Sequence, residues 1–198
     1  AVSDMGLLTK LNNMTENILT GVSDMIPVES QIKLLSQILP DLNTIGVIYN
    51  PAEKLSLSQI ELIKESSSKN QFDFIFEEVA SSEDAINTAK NLLGEIDALY
   101  IPSDLTVTPV IQSILTWTDL AGKPIISGDE RGIEQGALCT VIVDYYKLGQ
   151  QTGKIAVDGL TKVISLEEHP IEMSKHNKLL INTKSAEKLN IVIPYDLM

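Results

Sequence analysis

The 198-residue sequence predicts an α/β fold, a doubly wound parallel sheet with helices on both faces. Three observations carry this. Apolar runs bounded by turn residues alternate with longer stretches of helical period. The early runs begin about 25 residues apart, the length of one strand, one helix and two short loops. Alternation at that spacing favours parallel strands, because each strand must return over a face of the sheet before the next begins.

The elements follow in order. Ile45 to Tyr49 (IGVIY) reads as a strand, and Leu57, Ile60 and Ile63 then give a helical stripe. Phe72 to Val79 is strand-like and precedes a stripe of Ile86, Ala89 and Leu93. Asp97 to Ile101 is a third strand, leading to a helix with Ile111, Ile114 and Leu115. Pro124 to Ser127 is a fourth strand and Leu138 to Val143 a fifth, which runs into a long helix carrying Leu148, Ile155, Ala156 and Leu160. With 43% hydrophobic residues the chain can build a proper core. No internal repeat, low-complexity tract or flexible linker is evident.

Net charge is −12, so a phosphate backbone or an anionic membrane meets repulsion over most of the surface, and no Lys/Arg cluster reverses it locally. Nucleic acid and anionic membrane are poor partners on that ground. The apolar runs are far shorter than the roughly 20 residues of a membrane span, and the first residues carry no basic-then-apolar signal. The chain is therefore cytoplasmic or lacks its export signal. A single cysteine, Cys139, excludes an internal disulfide.

In an open parallel sheet, ligands sit beyond the carboxyl ends of the strands, where loops converge with helix N-termini. That edge holds Asn50 in YNP, Ser103 and Asp104 in YIPSDLT, Ser127 to Glu130 in SGDE, and Asp144 and Tyr145 in VDYY. Asn, Ser, Thr and Asp are also preferred helix N-caps, and Thr108 before Pro109 and Asp144 before Tyr145 read as caps. Taken singly, each of these residues is better explained by capping. Four strand ends that place such residues on one edge point to a binding rim.

Catalytic chemistry finds little support there. The phosphate loops GxGxxG and GxxxxGK[ST] are missing, as is the nucleophile elbow GxSxG. His169 and His176 lie in a polar stretch, EEHPIEMSKHN, that reads as an exposed loop rather than a metal site. Cys139 sits in an apolar strand with no histidine nearby to activate it and reads as core. The rim has carboxylates, hydroxyls and an amide but no general base poised near neutrality, so holding a ligand without catalysis, cofactor or metal is the expectation. An acidic rim suits a cation: two unit charges about 4 Å apart attract by roughly 4 kcal/mol at an effective dielectric near 20, before desolvation is subtracted. The zwitterion of an amino acid fits, with its carboxylate received by helix N-termini and hydroxyls. Tyr49, Tyr100, Tyr145 and Tyr146 lie near the same edge, and alternation should bury about half of them.

The stretches GVSDMIPVESQIKLLSQILPDLNTIGVIYNPAE, DALYIPSDLTV, PIISGDERGIEQGALCTVIVDYYKLGQQTGKIAVDGL and LLINTKSAEKLNIVIPYDLM together resemble the ABC transporter substrate-binding proteins of the tryptophan/tyrosine-type family, which have the periplasmic-binding-protein type I fold. The likeness runs from about residue 1 to the end. It implies two Rossmann-like lobes joined by three crossing strands, closing on a small solute, commonly an aromatic or apolar amino acid, for delivery to an ABC permease. It implies a periplasmic or extracellular, membrane-anchored protein. It also implies that βα units and a lipoprotein or secretion signal precede AVSD, so that the second lobe is essentially complete and the first partial. The expected segments are 1–24, a first-lobe remnant and hinge crossing; 25–138, the second lobe; 139–167, a first-lobe return strand and helix; and 168–198, returning to the second lobe. The stretch MGLLTKLNNMTENILTG departs from the Pro/Gly-containing loop usual in that family.

Residue by residue, the resemblance places Ser3 and Asp4 of AVSD, Ser23 and Asp24 of GVSD, Asn50, Ser103, Asp104, Asp129 and Asp144 at cleft positions. Asp104 and Asp129 are foremost as ligands for an ammonium group, with Asn50 as hydrogen-bonding support. A partial first lobe would weaken affinity and expose apolar helix faces, through which a homodimer could form. Two other readings stay open. A receiver-like phosphoacceptor would use Asp104, but the first strand ends in YNP without the acidic pair that binds magnesium, and no lysine follows the fifth strand. The effector-sensing core of a transcription regulator shares the two-lobed architecture and would carry a helix-turn-helix upstream.

Overall fold

A computed structural model describes residues 20–25, 28–67, 72–166 and 168–197. In chain order its elements are β1 (Val22–Ser23), α1 (Val28–Ile38), β2 (Thr44–Tyr49), α2 (Lys54–Ser67), β3 (Asp73–Glu78), α3 (Ser82–Leu92), β4 (Ala98–Ile101), α4 (Ile111–Leu120), β5 (Ile125–Ser127), α5 (Glu130–Gln135), β6 (Cys139–Val143), α6 (Tyr145–Leu160), β7 (Glu172–Met173), β8 (Asn177–Ile181) and α7 (Thr183–Lys188). The chain divides into two compact units, residues 1–26 with 143–178 and residues 27–142 with 179–198.

In the smaller unit, β1 and β7 pair in parallel, with Val22 opposite Glu172 and Ser23 opposite Met173. That pairing joins the two stretches of chain that make up this unit. Val22, Val143, Leu148 and Ile155 form its small core, with Ile164 and Leu166 packed against them. Leu148 and Ile155 are seven residues apart and fall on one line of α6. Ala156 and Leu160 stand roughly 80° and 120° around the helix from Leu148 at 3.6 residues per turn. Both are exposed, contrary to the expected stripe.

The larger unit is built on a sheet of order β3-β2-β4-β5-β6-β8. β2 pairs in parallel with β3 and β4, β4 with β5, and β5 with β6. The last strand reverses: Asn182 N–H donates to Leu138 O at one end of it and Asp144 N–H donates to His176 O at the other. An antiparallel edge strand is common on an otherwise parallel sheet. Successive side chains of a strand point to opposite faces, and here they feed two cores. Ile45, Val47, Tyr49, Ala98, Tyr100 and Ile126 pack on one side with Leu35 and Ile38 of α1 and Ile60 and Ile63 of α2. Ile48, Leu99, Ile101 and Ile125 pack on the other with Ala85, Ala89 and Leu92 of α3 and Ile111 and Ile114 of α4. Each fully buried Ile or Leu stabilises the fold by about 1.5–3 kcal/mol. The buried line of α3 is thus shifted by about one residue from the expected Ile86, Ala89 and Leu93, which rotates Ile86 and Leu93 to its flank.

Three polar details bear on earlier expectations. Asp97, at the entry to β4, accepts N–H bonds from Asn43 and Thr44, each at 3.0 Å, and stands 3.5 Å from the Lys123 ammonium. The bond from Thr44, then that from Asn43 and the Lys123 charge, hold its carboxyl below the usual range against a smaller opposing effect of burial. Cys139 is buried, and burial pushes its thiol up to about 12, far from a reactive thiolate. His176 is exposed, but His169 is not a freely exposed loop residue: its Nε2 is buried, 3.4 Å from Glu172 Oε1.

Candidate ligand-binding rim

Because β2, β4 and β5 run parallel, the loops after Tyr49, Ile101 and Ser127 leave the larger unit at the same edge of the sheet. Asp104 binds two of these loops together. Its Oδ2 accepts the Asn50 N–H at 2.8 Å, and its Oδ1 accepts the N–H groups of Thr106 and Val107 at 2.9 and 3.0 Å. The residue is fully buried. Both carboxylate oxygens are spent on backbone donors, which are charge-assisted bonds of the stronger kind. Asp104 therefore shapes the rim from inside, bracing the loops after β2 and β4 against each other. The same arrangement corrects Thr108. No side chain caps the short 3-10 turn Thr108–Val110, and the Thr108 hydroxyl is buried without a partner. Asp104 already takes the N–H groups just ahead of that turn, and Thr108 N–H donates to Asp104 O.

Ser103 is held just as closely. Its N–H donates to Gln59 Oε1 at 2.7 Å, its hydroxyl donates to Gly128 O at 3.2 Å, and Gln59 Nε2 approaches its Oγ at 3.4 Å. Gly128 N–H donates back to Ile101 O at 2.7 Å. The loops lie so close that a Cβ on Gly128 would stand 2.7 Å from Ser103 N and 2.8 Å from Pro102 C. Asn50 completes the lattice: its Nδ2 donates to Thr106 Oγ1 at 2.9 Å, its Oδ1 accepts the Ala52 N–H at 2.9 Å, and the Thr106 hydroxyl donates to Glu53 Oε1 at 3.2 Å. From the neighbouring crossover, Ser82 O–H donates to Thr106 O at 2.7 Å.

Asp129 differs. It caps α5, its Oδ1 accepting the Gly132 N–H at 3.3 Å, while its Oδ2 accepts from Arg131 Nε at 3.2 Å and from Arg131 Nη2. The Arg131 side chain is 51% exposed against 16% for Asp129. The bond to Asp129, then the charges of Asp129 and Glu53, raise the Arg131 guanidinium's pKa further. Leu105, at the tip of the loop after β4, is 64% exposed. Outward groups of the rim include Glu53, Lys54, Leu105, Asp129, Glu130 and Arg131, of which the sequence places Asp129 and Glu130 on this edge in advance. Gln59 lies inside a helix and shows no local signal. Arg131 carries one: it is the chain's single arginine.

The remaining candidates lie in the smaller unit or outside the described residues. Ser3 and Asp4 fall outside them. Ser23 is buried at the end of β1, its Oγ accepting the Met25 N–H at 3.2 Å. Asp24 Oδ2 accepts from the Tyr145 hydroxyl at 3.5 Å. Asp144 is the N-cap of α6, as its position before Tyr145 suggests: Oδ1 accepts from Tyr146 and Lys147 N–H, and Oδ2 pairs with Lys178 at 3.2 Å. The Lys147 N–H is the largest cause of its carboxyl lying below the ordinary value. Half of the four tyrosines are buried, as expected, but the division follows element type rather than strand alternation, since Tyr145 and Tyr146 open the helix α6. Tyr49 and Tyr100 are buried, donating to Glu78 Oε1 and Gln31 Oε1, while Tyr145 and Tyr146 are exposed. Burial, then Glu78, pushes the Tyr49 phenol up to about 12. Among the described residues no group of three His, Cys, Asp or Glu side chains could hold a metal ion, and no helix is long and apolar enough to cross a membrane.

A doubly wound unit with knitted strand-end loops belongs to the periplasmic-binding-protein type I class of fold. The family model for ABC transporter substrate binding proteins matches residues 2–198, and the chain belongs to that family. It is 26% identical over 191 residues to a tyrosine-binding protein of Clostridioides difficile strain R20291, covering 95% of this chain and 54% of that one. Its fold is similar to the ligand-free, open structure of a substrate-binding protein with adhesive properties from Clostridium difficile, with TM-score 0.82 and 27% identity over 94% of this chain and 65% of that one. It is also similar to an ABC domain from Streptococcus pneumonia in complex with L-Trp, with TM-score 0.71 and 28% identity over 93% of this chain and 64% of that one. The chain thus spans about half to two thirds of the length of these relatives.

Proposed function

We propose that the protein is the substrate-binding component of an ABC import system for an amino acid, aromatic or otherwise apolar, which it holds without catalysis and passes to a membrane permease. In this reading it works outside the cytoplasm, in the periplasm or at the cell surface on a membrane anchor. The observation that carries the reading is the pair of relatives above 25% identity, one a tyrosine-binding protein and one solved with L-Trp. The rim supports it physically. Glu53 supplies negative charge for an ammonium group, Arg131 supplies positive charge for a carboxylate, and Leu105 supplies exposed apolar surface for a side chain. Cys139 is buried far from thiolate character, which fits holding over reacting.

Isothermal titration of the full-length protein with the twenty amino acids and with representative sugars tests the proposal. Saturable binding of tyrosine, tryptophan or another apolar amino acid is the expected result. Binding confined to sugars, or heat consistent with turnover, would overturn it.

A further inference from the structure

The chain has 15 lysines and arginines together, and Arg131 is the single arginine among them. Loops 50–53, 102–107 and 127–131 carry no other cation, and the next cation along the first of them is Lys54, the first residue of α2. The one planar, permanently charged fork in the chain therefore stands on the edge where the parallel strands end. A lysine would satisfy a need for bulk positive charge equally well. A guanidinium differs in presenting several N–H donors in a fixed plane that matches a carboxylate.

The fork is held and not filled. Nε and Nη2 both donate to Asp129 Oδ2. A guanidinium has five N–H donors, so Nη1 and the second Nη2 hydrogen remain uncommitted among the described residues. Asp129 is in turn fixed by the Gly132 N–H and by its own N–H donating to Ser127 Oγ at 3.2 Å. Gly132 leaves the space this requires, since a Cβ there would lie 2.0 Å from Ser127 Oγ. The loop carrying the pair is pressed against Pro102 and Ser103 at Gly128. Arg131 thus projects, half-exposed, from a backbone with little freedom to move, which lowers the entropic cost of meeting a ligand. The rim's other charges are Glu53, Asp129, Glu130 and the buried Asp104, and the exposed Lys54 that follows Glu53 at the start of α2 offers an incoming carboxylate a point charge without a planar fork.

We propose that Arg131 reads the carboxylate of the bound ligand, and that Asp129 acts as the positioning residue that orients its guanidinium. This rests on the amino-acid reading given above and goes beyond it by assigning the carboxylate to one side chain. Asp129 then serves the ligand through Arg131 rather than by direct contact with its ammonium.

Calorimetric titration of the full-length protein with L-tryptophan and L-tyrosine, and with L-tryptophanamide and L-tyrosinamide, which lack the carboxylate charge, gives the test. Arg131→Met should weaken binding of the acids by at least about tenfold, the loss of a bidentate charged contact, and change binding of the amides by less than about twofold. Arg131→Lys should fall between, keeping the charge but not the fork. Asp129→Asn should weaken the acids while lowering the acid-to-amide preference less than Arg131→Met does. Thermal melts of the variants matching the wild type establish that the fold is intact. An acid-to-amide preference unchanged in Arg131→Met would overturn the assignment while leaving amino-acid binding standing. A wild type that binds neither amino acid nor amide would overturn the amino-acid reading and this assignment with it.

Discussion

The loop after β4 and the loop after β5 lie side by side on one rim and use their carboxylates in opposite ways. Asp104 in the first is fully buried, with three backbone N–H groups on its two oxygens. Asp129 in the second is partly exposed and spends one oxygen on a half-exposed arginine. A buried charge is tolerated only when its partners are all present, and its removal leaves buried donors without acceptors. An exposed charge pair adds little to stability and is free to serve recognition. The rim therefore divides into residues that give it shape and residues that face solvent, and acidity alone does not say which is which.

The strongest test of that division is Asp104→Ala. Three N–H groups lose their acceptor, each costing about 1–3 kcal/mol if left buried, so destabilisation on the order of 4 kcal/mol is expected in urea unfolding, a large share of an ordinary domain's stability. A loss below about 1 kcal/mol would show that the loop does not depend on it. Next comes Gly128→Ala. Its Cβ would meet Pro102 and Ser103 backbone at 2.7–2.8 Å, which has no flexible side chain to yield, and a loss of about 2–3 kcal/mol is expected from overpacking.

A smaller effect should appear at Asp97, away from the rim. Its folded carboxyl lies below the unfolded value of about 3.9, chiefly through the bond from Thr44 N–H. The sign follows: its bonds contribute fully above about pH 4 and are lost as pH falls through the folded value. Asp97→Asn should accordingly flatten the loss of stability below pH 4 measured by denaturant midpoints, and an unchanged acid slope would contradict this. The smallest effect belongs to Arg131→Met, which should alter unfolding free energy by less than about 0.5 kcal/mol while changing ligand binding. A variant that unfolded readily would move Arg131 into the group that shapes the rim.

Most of the sheet was legible in advance, because a strand buried on both faces must be an uninterrupted apolar run. The five runs from Ile45, Phe72, Asp97, Pro124 and Leu138 match β2 to β6 within one or two residues. β8 was not, since Asn177–Ile181 opens with two exposed polar residues on an edge strand and offers no full apolar run. Helix stripes were less secure for a related reason. Period shows which residues share a face, but coverage by a neighbour decides whether that face is buried, and Leu160 is apolar yet 82% exposed.

The rim's location followed from parallel topology, whereas its division of labour did not. The Asn50 to Asp104 bond spans 54 residues and the Ser103 to Gln59 bond spans 44, so no local pattern reveals them. Asp104 looks in the sequence like any strand-end ligand. Only its three N–H partners show that it faces inward. Arg131 is visible as a residue type, yet its significance lies in its position at a strand end, which no cluster of charge marks.

Backbone amide NMR of the full-length protein during titration with L-tryptophan tests the central claim most directly. Shifts that saturate together at Leu105, Thr106, Asp129 and Arg131 are predicted. Saturating shifts around Asn43, Asp97 and Lys123, at the opposite ends of the strands, with the rim unmoved, would contradict it.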